Sequence, residues 1–239
     1  MISRLYSLSL RVISNNIQGD ITQQIENAHS LDVDSNSKKN IIKDLETTHI
    51  QDFIDGDMQF KGLYFEYYVY NKNIETIKII LKYYPELVDI PNTSYFGQTP
   101  LYNASSCSNY ELVELLLEYG ADPNIQDQED IESSLMNSAY HNDVNVADLL
   151  LQYGANCDLQ NRFNETALHI ACWKGNLNIV KLLLKYNANP FMKSSFIKNN
   201  TPLKLAISKG FKNIAEILTK YEAYEDYEDN ENYEDDKNK

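Results

Sequence analysis

The sequence predicts an all-α solenoid of helix-turn-helix repeats joined by β-turn or hairpin connections. Three observations predict it: a tripeptide recurring at a fixed period, an apolar run at a fixed offset after each copy, and Gly or Asn closing most runs. Thr99-Pro100-Leu101, Ser133-Ser134-Leu135, Thr166-Ala167-Leu168 and Thr201-Pro202-Leu203 place Leu at 101, 135, 168 and 203, at separations of 34, 33 and 35. A period of this size marks an array whose units bury their apolar faces only against neighbouring units.

Residues 1–61 stand outside that frame. Tyr6, Leu8, Leu10 and Val12 alternate with Ser7, Ser9 and Arg11, and the first acid is Asp20. This composition is weakly like a transit peptide but lacks the apolar core of a secretory signal. Ile42, Leu45, His49 and Phe53 have helical spacing, and Asn16 to Asp34 is a candidate for a further degenerate repeat. The expectation is a helical cap that shields the open face of the first repeat. That repeat is itself degenerate. Glu75 to Leu81 aligns with Glu111 to Leu117 at a shift of 36, Tyr68 stands where a small residue is expected, and Tyr84 to Asp89 forms a longer connection.

Four regular repeats follow. Thr before Pro starts an inner helix, because Thr caps the first turn and Pro suits the first helical position. Three residues after each Leu comes a small residue (Ala104, Ser138, Ala171, Ala206), which lets adjacent repeats approach closely. The runs Leu115 to Leu117, Leu149 to Leu151, Leu182 to Leu184 and Ile217-Leu218 form outer helices facing the shared core. Five of the eight glycines (97, 120, 154, 175, 210) fall at slots that need a left-handed backbone, and Ser108, Asn142, Asn164 and Asn199 fill equivalent slots. The resulting organisation is a cap or degenerate repeat at 1–61, five repeats at 62–221, and an acidic, Tyr-rich tail at 222–239. The tail has no apolar periodicity and is expected to be disordered.

The best copy reads Asn164-Glu165-Thr166-Ala167-Leu168-His169-Ile170-Ala171-Cys172-Trp173-Lys174-Gly175. With the Thr-Pro-Leu copies and the period, it resembles the ankyrin repeat and its T-P-L-H-x-A signature over about two-thirds of the chain. The resemblance implies that His169 hydrogen-bonds its own repeat's Thr and the neighbouring turn. It also implies protein partners that contact the inter-repeat turns and the exposed ends of the inner helices. The turn positions are then Tyr95, Phe96 and Gln98; Glu129, Asp130 and Glu132; Arg162, Phe163 and Glu165; Ile197 and Lys198. The inner-helix positions are Ser106 and Cys107; Tyr140 and His141; Trp173 and Lys174; Ser208 and Lys209. Trp173, the only Trp, is the first choice as an anchor, because interface hot spots favour Trp, Tyr and Arg. The plainer alternative is that it lies on the apolar helix surface.

Composition bounds the function. The chain has 35 acids against 21 bases and a net charge of −14. No run of about 18 apolar residues exists, which excludes a membrane-spanning helix. Three cysteines without a CxxC spacing argue against a disulfide scaffold and for a reducing, cytoplasmic compartment, with an exported effector acting in a host cell as the alternative. No P-loop, GxSxG, HExxH or dinucleotide motif appears, so neither an enzyme nor a cofactor is expected. His169 and Cys172 are spaced for two metal ligands, but Cys172 fills a small core slot and no further ligand is offered, so no metal is expected. Asp127, Glu129 and Asp130 lie in a predicted, solvated turn.

Charge is segregated along the chain: −12 over 62–161, +8 over 162–220 and −7 over 221–239. The favoured function is a protein-binding module. Nucleic-acid or anionic-surface binding through Arg162, Lys174, Lys198, Lys204 and Lys209 is the alternative, opposed by the overall charge and by the resemblance. A catalytic segment within 1–61 is weaker still. The order of charge also suggests that the acidic tail contacts the basic repeats of its own chain.

Overall fold

A computed structural model describes residues 65–66, 68–92, 96–195 and 200–221. The expected cap at 1–61 and tail at 222–239 lie outside these residues. The chain divides into two compact units, Met1–Pro100 and Leu101–Lys239.

In the first unit, residues 65–66 and 68–70 are helical and lead to α1 (Ile74–Tyr83). Asn73 caps α1, its side chain accepting from the Thr76 N–H at 3.2 Å. Pro85, which cannot donate to a continuing helix, follows Tyr84 and begins a 3-10 turn over Pro85–Leu87. This turn is the longer connection expected from the sequence, and it carries Leu87 into the interior with Phe65, Ile77, Ile80 and Leu81.

The second unit repeats one pattern. Inner helices α2 (Pro100–Ser106), α4 (Ser134–His141), α6 (Ala167–Lys174) and α8 (Pro202–Lys209) alternate with outer helices α3 (Tyr110–Glu118), α5 (Val144–Gln152) and α7 (Leu177–Lys185). Residues 212–221 form a last outer helix, α9. Inner helix α6 packs against both α4 and α8, and outer helix α5 packs against α3 and α7. Ser133, Thr166 and Thr201 cap α4, α6 and α8, each side-chain oxygen accepting from the third residue's N–H at 3.4 Å. The small slots Ala104, Ser138, Ala171 and Ala206 are buried, which is what brings the inner helices together.

The outer helices bury the apolar runs. Leu115 to Leu117 and Leu149 to Leu151 are all buried, each worth about 1.5–3 kcal/mol over an exposed position. The third run departs slightly, because Leu182 is only half-buried while Leu183 and Leu184 are buried. All five expected glycines have positive φ, as do Ser108, Asn142 and Asn164. Asn199 lies outside the described residues. Lys72 and Ile131, at φ 57° and 58°, occupy the same repeat slots without the residue type that announces them.

The connections are stitched by short polar side chains. Asp122, Asn156 and Asn189 each accept from the N–H two residues on, at 2.9 Å. Asn124 and Asp158 accept from the N–H of Asn156 and Asn189 in the next repeat, at 2.7 and 2.9 Å. These bonds satisfy backbone donors that neither helix can reach.

Candidate functional site

The inner helices of the second unit end in one exposed row. Their stacking brings equivalent slots together, so Tyr140 and His141 of α4 neighbour Trp173 and Lys174 of α6, and these neighbour Lys209 of α8. The Lys174 ammonium lies 3.4 Å from the centroid of the Tyr140 ring and 4.9 Å from that of Trp173. The Lys209 ammonium lies 4.9 Å from the Trp173 centroid. Cations and ring faces therefore alternate as Tyr140, Lys174, Trp173, Lys209, held by the attraction of an ammonium for an aromatic face. His141 meets Tyr140 edge-on at 5.2 Å. Tyr140 remains 51% exposed and Trp173 40%, so both rings face solvent despite these contacts.

The turn tips behave differently. The Arg162 guanidinium pairs with the Asp130 carboxylate at 3.1 Å, and the Arg162 N–H donates to the Asp130 carbonyl at 2.9 Å. Phe163, expected to be exposed, is half-buried, and its carbonyl accepts from the Ser195 N–H and hydroxyl at 2.8 and 2.9 Å. Both residues thus tie successive turns together. In the first unit, Phe96 is 52% exposed at φ 51°, while Gln98 is half-buried and closes its turn by accepting from the Asn92 N–H. Tyr95, Ile197 and Lys198 lie outside the described residues.

The acidic turn is solvated at Glu129 and in part at Asp130, but not at Asp127. Asp127 is buried, one of its oxygens accepting from the N–H groups of Asp130 and Glu132 at 3.1 and 3.0 Å. Asn161 makes the same clamp one repeat later, on Phe163 and Glu165. The matching positions of Asp127 and Asn161 were the sequence signal for this role. Glu132 accepts from the Tyr102 hydroxyl at 3.3 Å, and burial followed by the nearby Asp127 and Asp130 charges raises its pKa. Burial also raises Glu165.

His169 is fully buried. Its Nδ1 accepts from the Thr166 N–H at 3.2 Å, which leaves Nε2 as the donor to the Asn200 carbonyl at 3.2 Å. Burial lowers its pKa, so the neutral ring is the form that links the two repeats. Burial pushes the Cys172 thiol up to about 12 and the Cys157 thiol up to about 11, which makes both poor nucleophiles. Cys107 is exposed beside Ser106, and the three cysteines are free thiols. Among the described residues no group of three His, Cys, Asp or Glu could hold a metal ion. No helix among them is long and apolar enough to cross a membrane.

Comparison with known proteins agrees with this geometry. A three-copy ankyrin-repeat family model matches residues 55–127 and 135–230, and a many-copy ankyrin-repeat model matches residues 108–151. A search of curated proteins finds no match. The matched segments cover well over half of the chain, and the repeating capped helix pairs found within them are the structural unit those models describe, so this chain belongs to the ankyrin-repeat family.

Proposed function

We propose that this protein is a binding module that captures a partner protein on the exposed ends of its inner helices. Ankyrin repeats are generally protein–protein interaction modules. The observation that carries the reading here is the alternating row of Tyr140, Lys174, Trp173 and Lys209. Tyr and Trp have only two rotatable side-chain bonds each, so these exposed rings lose little conformational freedom on binding. His141 is a secondary contact in this reading, Phe96 and Gln98 are candidate contacts of the first unit taken by itself, and Arg162 and Phe163 set the turn geometry. Nucleic-acid binding is less well supported, because Asp130 engages Arg162 and the chain carries −14 overall. No catalytic role is proposed. The free thiols favour a reducing compartment, in the chain's own cell or in a host cell.

The test uses three full-length baits: wild type, a Tyr140→Ala/Trp173→Ala double variant, and Gln152→Ala on the exposed end of an outer helix. Captured proteins are quantified by mass spectrometry. A partner held by wild type and Gln152→Ala should drop more than about tenfold with the double variant, the loss typical of a hot spot. Thermal melting should be equal for all three baits. Equal capture by all three would overturn this placement of the site.

A further inference from the structure

We propose that the row formed by Tyr140, Lys174, Trp173 and Lys209 is a receptor for the acidic segment 222–239 of the same chain. This deepens the binding reading of that surface and rests on it. Each ammonium is set on a ring face, which fixes its position and leaves its outward N–H groups free for an anion. Neither Lys174 nor Lys209 pairs with a carboxylate among the described residues. Both lie 4.9 Å from the Trp173 centroid, so the two charges are no more than about 10 Å apart, the span of three extended residues.

The segment matches this spacing. It carries the pairs Glu225-Asp226 and Glu228-Asp229, three residues apart, with Tyr224 and Tyr227 interleaved. One acidic pair then meets each ammonium, and the tyrosines lie against the exposed rings of Trp173 and Tyr140. The chain can also reach. α9 runs over 212–221, so its last residue lies about 15 Å along the chain axis from its start beside Lys209. Residues 222–229 span up to about 27 Å when extended. A tether this short gives an effective concentration near the millimolar range, so even weak contacts are occupied within one molecule. A partner must then displace the segment to gain the surface.

The single Trp makes the contact directly measurable in the full-length protein. Neutralising the segment by Glu225→Gln, Asp226→Asn, Glu228→Gln and Asp229→Asn should raise acrylamide quenching of Trp173 about twofold near 0.01 M salt, where charges act over about 30 Å. Near 1 M salt, where the screening length is about 3 Å, wild type and variant should coincide. Lys174→Gln/Lys209→Gln should behave like the neutralised segment, with unchanged melting. Equal quenching at low salt overturns the proposal. So does protection that grows with protein concentration, which places a second copy there, or protection removed by nuclease, which places a nucleic acid there. None of these measurements needs a partner, so a negative result leaves the capture experiment above to decide the binding reading on its own.

Discussion

Ile131 sits in a turn slot that Gly97 and Asn164 fill in the neighbouring repeats, at φ 58°. A β-branched side chain is strained there, because its Cβ crowds the backbone in the left-handed region. Ile131→Asn should therefore stabilise the protein by about 1 kcal/mol. A higher urea midpoint with an unchanged slope would show this, and an unshifted midpoint would mean that the turn has relaxed the strain by other means. Ile131 was not legible as a left-handed residue. The sequence marks such slots only when Gly, Asn or Ser occupies them, and here only the fold imposes the conformation. Asp127 was misjudged for a related reason. An acidic cluster reads as solvated until the turn folds around one carboxylate and supplies its donors.

At the scale of elements, the helix boundaries follow the sequence closely, because caps and breakers act within a few residues. Asn176 is an instructive departure. It occupies the cap slot that Asn109 and Asp143 use, yet its side chain makes no cap bond and instead donates to the Ala139 carbonyl at 2.8 Å. That carbonyl is in the last turn of α4 and has no helical partner, so the bond joins two repeats. Gly175 and Gly210 separate backbone from packing effects. Both have φ 80°, but a Cβ at Gly175 would lie 2.6 Å from the Phe211 ring, whereas at Gly210 it would meet nothing within 4 Å. Gly210→Ala should cost about 1 kcal/mol through backbone strain alone. Gly175→Ala should cost about 2–3 kcal/mol, because Phe211 must also move. Equal losses in thermal unfolding would show that the ring yields freely.

At the scale of the whole molecule, one buried histidine links stability to pH. Burial holds the folded pKa of His169 below its usual 6.5, so the unfolded chain binds the proton more readily. The contribution is complete above about pH 6.5 and declines as pH falls from there towards the lowered folded value. Glu132 and Glu165, raised by burial, act in the opposite sense, and their contribution declines as pH rises through their folded pKa values. Denaturation of wild type between pH 7 and 5 should show a loss of stability that His169→Gln reduces. Parallel curves would mean that other groups dominate this range.

The sequence by itself determined the period, the helix pairs, the buried small slots and the left-handed glycines. Each is a local requirement written again in every repeat, so the copies corroborate one another. It also pointed to the residues of the exposed row, one repeat at a time. Only the tertiary structure decided which of them meet: Lys174 over Tyr140, Lys209 near Trp173, and Arg162 on Asp130. Those contacts join residues about one repeat apart in the chain. Their distances depend on how the helices stack and which rotamers the packing leaves open, and no local pattern encodes either.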